Sequence, residues 1–219
     1  MKSVSTPVYW DTLRHQDSTF HLAATDDGLC CVTLPNETLD TLSDWLDKHV
    51  PGAVRTHHRD QMAPYVEQMK AYLDGRTQAF SVPLDFRGTP FQIRVWRGLL
   101  EIPFGSIRSY TDLAASIGHP AAVRAVAAAC GANPMPIVVP CHRVIGKDGR
   151  LTGYRGGLEM KAKLLRMEGI APGLTITVDE NPYTVNRGDA IRFRADVPHV
   201  YHNAGNALVR LNMVIYYPK

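Results

Sequence analysis

The chain contains no apolar run long enough to cross a bilayer. Its first residues, Met1 to Tyr9, lack the charged start, apolar stretch and small-residue cleavage site of a secretory signal. A cytoplasmic protein with no membrane partner is therefore expected. Cysteine is scarce, and Cys30, Cys31, Cys130 and Cys141 show neither CxxC spacing nor the paired Cys/His clusters of a zinc site. That excludes a disulfide framework and a structural metal, so no metal ligand and no cofactor is assigned. His57-His58 sits in a polar stretch with no further ligand at a useful spacing and reads as a solvated pair. Residues 1–89 show no catalytic constellation.

What is present is enough chain to bury a core: 219 residues, 45% hydrophobic and 21% charged. The net charge of +3 hides an asymmetry. Residues 1–89 carry 8 Lys/Arg against 12 Asp/Glu, residues 90–169 carry 11 against 5, and residues 170–219 carry 5 against 4. A basic middle segment is what a polyanion-binding face produces, although a solvated helix surface gives the same count.

The first segment reads as a small mixed domain. Val8 to Trp10, Thr19 to Ala24 and Leu29 to Leu34 are strand-like, and Glu37 to His49 is helical with Asn36 as its N-cap. A second helix is predicted over Gln61 to Leu73, ending at Gly75, and Phe80 to Leu84 alternates like a strand. From Pro90 the pattern changes to helices: Pro90 to Leu100, then Thr111 to Ile117, a Gly118-His119-Pro120 turn, and Ala121 to Cys130. Two short helices around a tight turn, the second rich in alanine, resemble a helix-turn-helix. Small side chains let that helix approach a partner closely, with Arg124 projecting from a smooth surface; a buried, tightly packed helix would need the same alanines.

Pro140-Cys141-His142-Arg143-Val144 sets a thiol beside an imidazole. The β-branched run Ile137-Val138-Val139 precedes it and a Gly146/Asp148/Gly149 turn follows, placing Cys141 where a strand-like segment meets a loop. A free thiol ionises near pH ~8.5, so a base within hydrogen-bond or one-water reach is needed to raise the thiolate fraction at neutral pH. His142 is the nearest base. A buried, inert cysteine is the alternative that a bare Cys-His pair leaves open.

Around that pair stand Ser109-Tyr110, Ala122-Val123-Arg124-Ala125-Val126, Gly131-Ala132-Asn133-Pro134, Gly153-Tyr154-Arg155-Gly156-Gly157 and Lys163-Leu164-Leu165-Arg166-Met167-Glu168-Gly169. In that order and spacing the blocks resemble the O6-alkylguanine-DNA alkyltransferases, the methylated-DNA-protein-cysteine methyltransferases. The resemblance implies an α/β (α+β) fold in three parts: a small ribonuclease-H-like N-terminal domain (1–89), a helical DNA-binding and catalytic domain with the helix-turn-helix (90–169), and an extension (170–219). It implies DNA repair by direct reversal, a single-turnover transfer of a methyl or alkyl group from O6-alkylguanine in double-stranded DNA to Cys141 after base flipping. Alkyl-size preference and activity on O4-alkylthymine stay open.

Residue by residue, the resemblance makes Cys141 the acceptor, His142 its base through a water, Glu168 the orienter of His142, Asn133 the tether of the active-site loop, and Tyr110 the proton donor to guanine N3. Arg124 would fill the space left by the flipped base, with Ala125, Ala128 and Tyr110 also facing DNA. The substrate pocket would use Pro140, Val144, Tyr154 and Arg155, through carbonyls of Cys141 and Val144 and the amide of Arg155, with Tyr154 as a wall. On spacing alone, Glu168 is equally a solvated charge in a last helical turn and Tyr110 a packed ring.

The extension reads as β: Ile176 to Val178, Tyr183 to Val185, Ala190 to Phe193 and Leu208 to Tyr217. Gly188, His199 and Asn203 fall at the spacing of the second cupin motif, while Arg194 and Asp196 replace its usual Pro and Gly and the first motif is missing, so no metal is expected there. A half-barrel leaves edges and an apolar face uncovered. Pairing with a second copy, giving a homodimer, is the expected remedy. A cupin-linked DNA-binding regulator is the competing reading of the tail and helix-turn-helix together; it requires sequence-specific DNA binding.

Overall fold

A computed structural model describes residues 6–170, 174–185, 190–194, 196–202, 211 and 213. Strands β1 (Pro7–His15), β2 (Ser18–Thr25) and β3 (Gly28–Val32) form an antiparallel meander, followed by helix α1 (Leu39–His49), strand β4 (Val54–His57) and helix α2 (Arg59–Leu73). The sheet order is β3-β2-β1-β4, with β4 parallel to β1. Alternation divides its two faces. Val8 and Ala23 pack with Leu42 and Leu46 of α1 and with Val50 just after it, while Leu13, Phe20 and Leu22 pack with Met62, Met69 and Tyr72 of α2. A register shift opposite Ala23/Ala24 lets the consecutive Cys30 and Cys31 share the α1 face.

The α2 face does not close on itself. The same cluster continues through Val95, Trp96 and Leu99, then Val126, Val139 and Leu164, so residues on both sides of position 89 share one core. The helical part contains α3 (Pro90–Leu100), β5 (Arg108–Ser109), α4 (Tyr110–Ser116), α5 (Val123–Gly131), a 3-10 turn (Cys141–Arg143), β6 (Val144–Ile145) and α6 (Gly157–Met167). Local sequence sets these boundaries. Thr89 and Gln92 make a capping box with Pro90 in the first turn of α3, and Ser109 with Asp112 does the same for α4. Gly98 lets α4 lie against α3, since a Cβ there would come within 2.6 Å of Ile117. Trp96 Nε1 donates to the carbonyl of Ala129 at 2.9 Å, fastening α5 to α3.

Several expected boundaries move. The N-cap of α1 is Thr38, because Asn36 turns its amide to the carbonyl of Arg155 instead. Phe80 to Leu84 forms no strand and contributes only a single bridge, Leu29 to Leu84. Nor does Ile137-Val138-Val139: it packs in the core as an irregular segment, and Cys141 opens a 3-10 turn. His57 ends β4, where, still exposed, it bonds Asp11 at 2.8 Å, and His58 caps α2, so the pair belongs to two elements and not to a loop.

The extension holds β7 (Leu174–Val178), β8 (Asn181–Val185) and β9 (His199–His202), an antiparallel sheet in the order β8-β7-β9. Its small cluster centres on Ile176 and Val178, with Ile191, Phe193 and Tyr201 against it. Ala190 to Phe193 supplies packing but no strand. Gly188, Asp189 and Asn203 lie outside the described residues, as does all of Leu208 to Tyr217 but Leu211 and Met213.

Candidate active site

Cys141 lies at the wall of a cavity of about 520 Å³, lined also by Tyr110, Cys130, Asn133, Thr152, Tyr154 and Arg155. The segment before it is anchored from inside. Asn133, itself buried, donates its side-chain amide to the carbonyl of Val139 at 2.8 Å and to Cys141 Sγ at 3.2 Å, while its Oδ1 accepts from the amide of Met135 at 3.0 Å. One side chain thus holds three points of the approach to the thiol. Burial pushes the Cys141 thiol up; the Asn133 amide and the positive charges of Lys161 and Arg155 pull the other way. The sulfur is accordingly protonated at rest and needs a base.

His142 follows Cys141 in the 3-10 turn. Its Nε2 is 2.6 Å from Glu168 Oε1, and both side chains are fully buried. Burial would raise the Glu168 carboxyl, but hydrogen bonds from His142, Arg143 and Tyr72 outweigh it and hold the group down at about 2. An ionised carboxylate only accepts, so the imidazole proton sits on Nε2 and the lone pair on Nδ1. That Nδ1 is buried and has no hydrogen-bond partner among the described residues. Burial lowers the His142 pKa, with Glu168 opposing, which keeps the ring neutral and able to take a proton.

Glu168 closes the C-terminus of α6 and is held on every side. Arg143 Nε reaches its two oxygens at 3.1 and 2.9 Å, and the amide of Gly105 donates to Oε2 at 3.2 Å. The Tyr72 hydroxyl, from α2, donates to Oε1 and stands 3.4 Å from His142 Nε2. A second buried cation, Lys161, donates to the carbonyls of Val144 at 2.6 Å and Thr152 at 2.7 Å, pinning the turn after Cys141 to the cavity rim. Burial brings its ammonium down to about 8.

Most expected site residues converge here. Cys141, Asn133, Tyr110, Tyr154 and Arg155 line the cavity, and His142 and Glu168 are bonded to each other. Tyr110 opens α4, and burial raises its hydroxyl. The Tyr154 hydroxyl is buried without a partner among the described residues. One expectation changes. Pro140 and Val144 do not line the cavity: both are buried, and the Val144 carbonyl is taken by Lys161. The Arg155 guanidinium turns to the N-terminal sheet: it lies 2.9 Å from Glu37 and donates to the carbonyls of Asn133 at 3.1 Å and Val32 at 3.0 Å. Arg124, Ala125 and Ala128 share one exposed face of α5 away from its buried Val126 and Ala129.

Arg143, Lys161 and Tyr72 carry no role in the sequence reading. A signal existed for Lys161 and Glu168, since 161, 164, 165 and 168 form one helical stripe that includes buried Leu164 and Leu165, and charges on such a stripe require partners. Nothing marks Tyr72 apart from the other apolar positions of α2. Among the described residues, no group of three His, Cys, Asp or Glu side chains is placed to hold a metal, and no helix is long and apolar enough to cross a membrane.

Residues 90–170 match the family described as 6-O-methylguanine DNA methyltransferase, DNA binding domain, and residues 173–216 match the cupin domain family. The chain is 44% identical to the regulatory protein ada of Salmonella typhimurium over 147 residues, which are 67% of this chain and 41% of that protein. Its fold is similar to that of Mycobacterium tuberculosis OGT crystallised in complex with DNA, with a TM-score of 0.62 at 39% identity, covering 73% of this chain and 92% of that one. It is 47% identical to the inducible methylated-DNA–protein-cysteine methyltransferase of Bacillus subtilis over 168 residues, 77% of this chain and 94% of that protein. A thiol seated beside an oriented imidazole and likeness over nearly the whole length of such a relative together mean that the chain belongs to the methylated-DNA–protein-cysteine methyltransferase family.

Proposed function

We propose that the protein repairs O6-alkylguanine in duplex DNA by moving the alkyl group to Cys141, once per molecule. The observation that carries this reading is a cavity-lining thiol followed in the same 3-10 turn by an imidazole whose Nδ1 lone pair is set by Glu168. In this scheme His142 Nδ1 receives the Cys141 proton through a bridging water, and the thiolate sulfur attacks the alkyl carbon. A carbon–sulfur bond forms as the carbon–oxygen bond breaks, and the electron pair passes to the guanine ring. Tyr110, kept protonated by burial, donates a hydrogen bond to the base as that charge develops. The thioether is stable, so the reaction ends there.

The target atom lies inside the helix, so the nucleotide is extruded, at a cost of about a few kcal/mol. The exposed Arg124, Ala125 and Ala128 face of α5 supports a role in entering the groove, with Arg124 occupying the vacated position. Asn133 and Lys161 hold the rim and floor; Tyr154 and the backbone at Arg155 contact the base. The scheme divides the work among residues 1–89, 90–169 and 170–219 as scaffold, transfer unit and appendage, the last serving as a dimer contact through its short open sheet. Such repair takes place in the cytoplasm.

Incubation with O6-methylguanine DNA is expected to add the mass of one methyl group, located by peptide mass spectrometry at Cys141. Cys141→Ala is expected to add none. Methylation of another residue, or none at all on the wild-type protein, would sink the proposal.

A further inference from the structure

The hydroxyl of Tyr72 belongs to α2, a helix of the N-terminal segment, yet it ends inside the transfer site. It donates to Glu168 Oε1, the same oxygen that accepts from His142 Nε2 at 2.6 Å, and lies 3.4 Å from that nitrogen. The ring is 1% exposed and fixed by two aromatic neighbours, with Phe80 tilted at 5.1 Å and Phe104 edge-on at 6.2 Å between centroids. A hydroxyl on so rigid a support has one place to point.

We propose that Tyr72 is a positioning residue of the alkyl-transfer reaction, fixing Glu168 and, through it, the imidazole of His142. This rests on the repair function proposed above. The chemistry is specific. An ionised carboxylate oxygen shared between a phenol donor and an imidazole donor spreads its charge over both, so its hold on the imidazole proton is weaker than it would be with the imidazole alone. Burial and the negative Glu168 both raise the Tyr72 hydroxyl, so it stays a donor throughout the working pH range. The groups that act on His142 are Glu168, Arg143, Tyr72 and Lys161. Arg143 and Lys161 lower its proton affinity and Glu168 raises it. Without the phenol, Glu168 pulls harder on the imidazole proton, His142 becomes charged at higher pH, and the neutral base is less available. The orientation of the ring is loosened as well. Thus the N-terminal segment, which holds no acceptor or base, contributes a polar group to the chemistry of the central one.

Tyr72→Phe removes one oxygen and keeps the packed ring. The measurement is single-turnover methyl transfer at saturating O6-methylguanine DNA, followed from acid to alkaline pH, with DNA affinity and thermal melting taken on the same samples. The expected result is unchanged affinity, a rate at neutral pH lower by about tenfold, a modest share of what general-base catalysis supplies, and an acidic limb displaced to higher pH. Phe80→Leu loosens the same ring but keeps the hydroxyl; it is expected to lower the melting temperature and to displace the acidic limb less than Tyr72→Phe does. If Tyr72→Phe transfers at the wild-type rate with the wild-type profile, or only melts earlier, the positioning role is overturned. Wild-type protein that fails to take up methyl at all would overturn the repair function, a separate result read from the same experiment.

Discussion

The transfer site is reached from two sides that work differently. From the central segment come the Cys141 sulfur, the His142 imidazole, the Glu168 carboxylate and the amide of Asn133, all within a stretch of chain whose blocks are spaced as a motif. From the N-terminal segment come single contacts: the Tyr72 hydroxyl on Glu168, the Val32 carbonyl and Glu37 on Arg155, and the Asn36 amide on the Arg155 carbonyl. The first group sets what reaction is possible. The second sets how rigidly its parts are held, and it acts through a hydrophobic core that both segments share. A scaffold with no reactive group of its own can therefore still tune a rate.

That contrast is broken most easily from the central side. His142→Ala removes the base and is expected to slow single-turnover transfer by about 10²-fold or more, measured by rapid quench; a rate near wild type would mean that the thiol needs no partner. Arg124→Ala is expected to slow transfer from duplex DNA about tenfold while sparing single-stranded substrate, since only the duplex must be opened at a cost of a few kcal/mol. Equal losses on both substrates would move Arg124 from extrusion to general phosphate binding.

Acid probes the bridge between the two sides. The Glu168 carboxyl falls from 4.5 to about 2 in the folded protein. A depressed carboxyl contributes stability present above its unfolded value and lost as pH drops through the folded one, so about 3 kcal/mol should disappear between pH ~4.5 and ~2. Denaturant titrations of wild type and Glu168→Gln across that window check the sign: the wild-type curve should fall and the variant's should be flatter. On the N-terminal side, Arg155→Ala is expected to cost about 1 kcal/mol, the ordinary net worth of a hydrogen bond, and to slow transfer several-fold as the rim loosens. Smallest of all, truncation after Ile170 should leave the transfer rate unchanged, because the described part of the tail has its own cluster and takes no part in the main core; its effect should appear, if anywhere, in sedimentation as loss of a dimer.

Much of this was legible in the residues themselves. Cys141 and His142 are neighbours in the chain, so their proximity needs no folding, and the Pro90, Ser109 and Gly118 signals mark helices that form almost where they are expected. Ile137 to Val139 misleads because a β-branched run indicates burial, and burial was satisfied here without a sheet partner. Phe80 to Leu84 fails as a strand because its pairing stops at one bridge. Arg155 lines the cavity as its position suggests, while the contacts of its guanidinium with Glu37 and the carbonyls of Asn133 and Val32 carry no sequence signal.

By itself the chain determined the local chemistry: a thiol next to an imidazole, where the helices begin, and which segment carries the excess of positive charge. These depend on adjacency, capping and composition, which survive without a fold. Tertiary structure alone decided that the lone pair of His142 is on Nδ1, that Lys161 ties Val144 to Thr152, and that a tyrosine from α2 shares the carboxylate of Glu168. Those depend on buried groups meeting over 9 to 96 positions of separation, where removal from water makes each polar contact obligatory and its geometry specific.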